Sequence, residues 1–146
     1  MKSIQNSSGQ RVGATATYTQ ETTDATANVV MDLESGSMPA LATEVGVGST
    51  EAAVLVADLI GINEGVNKVS AFRLTAIVKG DGAGAWAPVG AASATVADEI
   101  GGGGAVSGNI HVDASGRPIV RVTGDADTNI KWRASMRATA ISQAAV

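Results

Sequence analysis

Residues 117–141 read RPIVRVTGDADTNIKWRASMRATAI. In the second half, Ile130, Trp132, Ala134, Met136, Ala138 and Ala140 fall on one side of a two-residue period. Lys131, Arg133, Ser135, Arg137 and Thr139 fall on the other. Side chains alternate sides only in an extended strand, so this stretch predicts a strand with one buried and one wet face. The first half, 117–123, is rich in β-branched residues, which favour strands. Gly, Asp and Asn between the halves are turn residues. The stretch therefore predicts a C-terminal β-hairpin with Trp132 as its largest core anchor.

The rest of the chain follows the same grammar. Residues 14–20 (ATATYTQ) and 25–33 (ATANVVMDL) read as strands that could pair as neighbours, and 34–50, with Gly36, Pro39, Gly46 and Gly48, as a loop with room for a short strand in it. Residues 51–62 (EAAVLVADLIGI) admit two readings. Ser49 or Thr50 could cap a helix that Gly61 ends. As a strand, Val54, Val56, Asp58, Ile60 and Ile62 share a side. The strand is preferred because a turn, Asn63-Glu64-Gly65, and a long alternating run, 66–79, come next. Two such runs around a short glycine-containing turn make a hairpin. In the second run Ser70, Phe72, Leu74, Ala76 and Val78 share one side. Shorter strands are expected at 86–89, 92–96 and 109–113, with glycine-rich tips at 80–84 and 101–104. Roughly seven to nine short strands with regular turns predict an all-β fold, an antiparallel β-sandwich or jelly-roll. The polar residues 1–13 read as an N-terminal arm, with 14–146 forming one domain.

Composition narrows the function classes. A chain of 146 residues can bury a real core, but aromatics are only 3%, so that core must be thin and built from aliphatic side chains. A domain of this kind gains stability from neighbouring subunits. The net charge of −4 argues against nucleic acid as a main partner. The absence of cysteine removes disulfides and thiolate metal sites. No apolar run is long enough to cross a bilayer, and the first residues carry no secretory h-region.

No constellation for catalysis emerges, and no cofactor is expected. His111 is the sole histidine and stands between Ile110 and Val112; no G-x-S-x-G motif accompanies it. An ordinary surface or half-buried histidine is the simpler reading. Asp125, Asp127 and Asn129 have the oxygen spacing that opens a calcium loop. Ile130 and Met136 stand where such a loop needs glycine and glutamate, so a turn is the better reading. The glycine tips lack the G-K-[ST] of a phosphate loop. Arg121, Lys131, Arg133 and Arg137 make a candidate basic stripe that could dock an acidic neighbour. Ile4 and Val12, the aliphatic branched residues of the arm, are the other interface candidates.

A resemblance covers residues 52–141. Three stretches carry it: VSAFRLTAIVKG (69–80), APVGAAS (87–93) and PIVRVTGDADTNIKWRASMRAT (118–139). They resemble a β-sandwich domain that recurs in tail-associated, fibre-type and capsid-associated structural proteins of tailed bacteriophages. The last stretch carries the signature, Val-Thr-Gly, a polar turn, then Ile-x-Trp in a closing strand. The chain departs from the pattern at 109–112, where the family often has a Trp, and residues 1–50 show no likeness. The resemblance implies a non-enzymatic virion protein assembled in the host cytoplasm. Its expected partners are other virion proteins, such as the major capsid protein or tail proteins, and its own copies in a homo-oligomer such as a trimer. A short chain with one sandwich and one arm fits a capsid decoration (cement) protein; a small tail, baseplate or fibre component facing a receptor is the alternative. A carbohydrate-binding module ranks below both, because it needs exposed rings and only Tyr18, Phe72, Trp86 and Trp132 are present.

Overall fold

The computed structural model describes residues 14–36, 51–63, 65, 67–80, 85–98, 100 and 106–142. They form ten strands: β1 (Ala14–Thr22), β2 (Val29–Val30), β3 (Asp32–Gly36), β4 (Glu51–Asn63), β5 (Lys68–Gly80), β6 (Trp86–Pro88), β7 (Ser93–Asp98), β8 (Ser107–Val112), β9 (Pro118–Thr123) and β10 (Ile130–Ser142). No helix occurs among the described residues. The fold is all-β and antiparallel, as the alternation predicts, and has the two-layer build of a sandwich. A large sheet runs β3-β1-β10-β4-β5, with β6 and β7 sharing the far edge of β5. A small sheet, β2-β9-β8, supplies further buried side chains to the same core.

Three strands of 13 residues each, β10, β4 and β5, form the middle of the large sheet. Their inward rows alternate large with small across the ladder. Trp132 lies beside Gly61, Ala134 beside Leu59, Met136 beside Ala57 and Ala138 beside Leu55. On the next strand Leu59 faces Phe72, Ala57 faces Leu74 and Leu55 faces Ala76. A core of small residues reaches native packing density through such interdigitation. Val120, Val122 and Ile110 of the small sheet are buried in the same core, as are Met31 and Trp86.

Residues 51–62 form a strand, and β4 with β5 forms the expected hairpin, closed by Asn67 N–H donating to Asn63 O at 2.9 Å. Asn67 holds a positive φ of 54° there, a conformation asparagine tolerates. The row Ser70, Phe72, Leu74, Ala76 and Val78, which the alternation places on one side, is the buried one.

Two expectations need correction. Residues 117–123 and 130–141 are both strands, but they do not form a hairpin. β9 pairs with β2 and β8 in the small sheet, whereas β10 pairs with β1 and β4 in the large one. Each strand has its own buried row, Pro118/Val120/Val122 and Ile130 through Ala140, and the chain crosses between sheets at 124–129. The crossing is tight: a Cβ on Gly124 would stand 2.5 Å from Thr22 Oγ1 and from Asp24 O. The second correction concerns 25–33. That run is two short strands, not one. β2 joins the small sheet, and β3 joins the large one beside β1. Between them Met31 is buried, and its N–H donates to Val120 O at 2.9 Å. The switch of sheet occurs at that residue. Residues 34–36 of the expected loop 34–50 belong to β3, while 37–50, the expected arm 1–13 and the glycine-rich stretches 81–84 and 101–104 lie outside the described residues.

Candidate interaction face

The two sides of β4 are both apolar, but they have different fates. Ala53, Leu55, Ala57, Leu59 and Gly61 point into the core. The bulkier β-branched residues Val54, Ile60 and Ile62 point to solvent, at 43%, 51% and 39% exposure. The register places Ile77, 50% exposed, directly opposite Val54. It places Ala71 opposite Ile60 and Val69 opposite Ile62. Two apolar patches thus lie on the outer face of the central hairpin, one toward each end. A shallow depression lined in part by Ile60, Ala71, Asp58, Arg73 and Ala97 continues the second patch toward β7.

Charged pairs separate the patches. Asp58 stands opposite Arg73, which grips it with both ends of the guanidinium: Nε donates to Oδ1 at 2.7 Å and Nη2 to Oδ2 at 3.2 Å. Arg137, on the other side of Asp58, approaches Oδ2 at 3.9 Å. The hydrogen bonds from Arg73 hold the Asp58 carboxyl below the ordinary carboxylate range, and the same bonds raise the guanidinium of Arg73. Further along, Arg133 pairs with Glu34 of β3 at 3.2 Å. These groups are exposed, so each pair adds little stability alone. Their value lies in fixing long side chains across a flat face.

Lys131, Arg133 and Arg137 all lie on this face of β10, as their alternation predicts. Arg121 does not join them. It lies on β9, in the small sheet, where its Nε donates to Asn109 Oδ1 at 3.1 Å. The stripe expected from four basic residues is therefore a stripe of three. The reason is that β9 and β10 belong to opposite layers. Ile4 and Val12 lie outside the described residues.

The other candidates fall at ordinary structural positions. His111 is exposed on β8, opposite Ile119 of β9. Asp125, Asp127 and Asn129 line the crossing from β9 to β10: Asp125 Oδ1 accepts from Ala126 N–H at 3.0 Å, and Asp127 takes a positive φ of 53°. No group of three or more His, Cys, Asp or Glu side chains that could hold a metal occurs among the described residues. A cleft of about 110 Å³ between β5 and β8, lined by Ala76, Ile110 and His111, is well below the ~300 Å³ at which small-molecule sites begin. All four aromatic side chains are buried, which leaves no ring to stack on a sugar.

Asp58, Arg73, Ile60, Val54 and Ile77 are the face residues that sequence reading did not single out. The signal for the first two is present in the hairpin. Stepping back equally from the Asn63/Lys68 pair brings Asp58 opposite Arg73. The apolar members carry no such signal, because both sides of β4 look fit for a core.

No protein-family model, curated protein or solved structure matches this chain.

Proposed function

We propose that this chain is a non-enzymatic structural protein of a tailed-bacteriophage virion, a capsid decoration protein that stabilises the shell by adding subunit contacts. The observation that carries the contact role is the outer face of β10, β4 and β5. It combines exposed aliphatic residues with fixed charge pairs. Contiguous exposed apolar patches rimmed by polar residues mark interaction sites. The virion assignment rests on the resemblance of residues 69–80, 87–93 and 118–139 to phage structural domains. A thin core of small side chains supports a subunit that gains stability on assembly. A sugar-binding role is disfavoured by the burial of every aromatic ring.

The resemblance includes tail-associated proteins, so location is the discriminating observation. Gold-labelled antibody against the purified chain, applied to particles of the phage that encodes it, is expected to mark the head at many copies. Label confined to the tail would move the assignment to a tail or baseplate component, and unlabelled particles would end the virion reading.

A further inference from the structure

The occupant of the outer face follows from how its residues pair. Across β4 and β5 the opposed outward positions include Val54/Ile77, Asp58/Arg73, Ile60/Ala71 and Ile62/Val69. Consider a two-fold axis parallel to these strands, running between them and above the face. It lays β4 of one copy over β5 of the other. Val54 then meets Ile77, Ile60 meets Ala71 and Ile62 meets Val69, so apolar covers apolar. Asp58 meets Arg73 in both directions, so carboxylate covers guanidinium. A two-fold interface requires a surface complementary to itself. This face meets that condition at these three apolar pairs and at its central charge pair; Val56 over Thr75 and Ala52 over Lys79 are the two pairs that do not match in polarity.

We propose that the outer face of β4 and β5 is a homodimer interface, covered by a second copy of this chain packed sheet on sheet. This deepens the contact-face reading, naming its partner, and it does not require the virion assignment. The available area fits a weak dimer. Three strands, β10, β4 and β5, at ~4.8 Å spacing and about nine residues of ~3.3 Å, together with the six residues of β7, give roughly 500 Å² per copy. Stable specific interfaces bury upward of about 600 Å² per partner, so this one lies just below that limit, among the transient contacts. Lys131, Arg133 and Arg137 on β10 then lie at the rim. The proposed pair is two-fold, where the resemblance implies a trimer.

Sedimentation equilibrium on the purified full chain across roughly micromolar to 100 micromolar concentration tests the proposal. The expected result is a reversible monomer–dimer equilibrium. Ile60→Glu should weaken it by about 100-fold or more, because an isologous contact buries the new charge twice. Val30→Glu, at a residue 48% exposed in the small sheet, should leave it unchanged. The charge pairs give a second readout that does not depend on packing. Asp58→Arg and Arg73→Asp should each weaken self-association by about tenfold. An equimolar mixture of these two variants should restore it, because the cation-rich face of one meets the anion-rich face of the other. A monomer at all concentrations, an oligomer other than a dimer, a dimer insensitive to Ile60→Glu, or a mixture that fails to associate would each overturn the proposal. None of these results depends on where the protein sits in a virion, so failure here and failure of the virion reading are separately visible.

Discussion

Trp132→Ala is expected to lower the free energy of unfolding by about 3–5 kcal/mol, the largest effect of any single truncation in this core. The ring is 2% exposed at the inner face of β10. It packs against Phe72 with centroids 6.2 Å apart and planes tilted by 44°, a favoured aromatic arrangement. Its indole Nε1 donates to Thr22 Oγ1 at 2.9 Å in a buried setting. Truncation would remove the ring's contacts, leave a cavity and strip the buried Thr22 hydroxyl of this donor. Ala134 on β10 and Gly61 on β4 beside the ring are too small to close the gap, which leaves Ile130 as the one large neighbour in these rows. Small domains hold only about 5–15 kcal/mol in total, so the variant should unfold at a clearly lower denaturant midpoint. Urea unfolding followed by circular dichroism measures this. A loss under about 1 kcal/mol would mean that the ring is not the anchor of the core.

The second expectation concerns the residue beside that ring. Gly61→Val should destabilise the intact protein by about 3 kcal/mol, the upper end of the overpacking range. A Cβ at Gly61 would stand 2.5 Å from Cζ3 and 2.6 Å from Cε3 of Trp132, and 3.0 Å from Cγ2 of Ile130. The ring is held by Phe72 and Thr22, so it cannot swing aside cheaply. The cost should depend on the ring itself. In a Trp132→Ala background the same substitution should be close to neutral or stabilising. The added branch would occupy the vacated space, and valine suits a strand better than glycine. The double-mutant cycle should therefore give a coupling energy of at least about 2 kcal/mol. Additive effects would show that Gly61 is required for its backbone, with no part played by the approach of the ring.

Several features were legible from residue order alone. The period of two in β10 identified its buried row, because the other side is polar enough to be unambiguous; in β5 it separated two rows without telling which is buried. Asn63, Gly65 and the alternation on both sides identified the β4–β5 hairpin. The partnership of β9 was not legible. Its alternation fits pairing with β10 as well as it fits facing β10 across a core, and 124–129 serves either as a turn or as a crossing. What separates the two cases is the competition for the edges of β10, which β1 and β4 occupy along its length. Those pairings are long-range and leave no local trace. The same limit hid the contact face. On β4 the two rows differ mainly in size, with Asp58 the one charged residue of the outer row, and the smaller row goes inside because Trp132, Met136, Phe72 and Leu74 on the adjacent strands already fill the space. Val54, Ile60 and Ile62 are thereby left outside, where they make the patches between which Asp58 and Arg73 lie.

The basic residues show the same dependence on topology. Lys131, Arg133 and Arg137 share a face because they share a strand. Arg121 would join them only if β9 and β10 were neighbours in one sheet, and it is instead tied to Asn109 in the other layer.

The central claim, that this chain adds contacts which stabilise a phage shell, is tested most directly by heating particles. Particles that lack the chain, those that contain it, and deficient particles resupplied with purified protein should be compared for DNA release along one temperature ramp. The account predicts earlier release from the deficient particles and recovery on resupply; identical release curves for all three would contradict it.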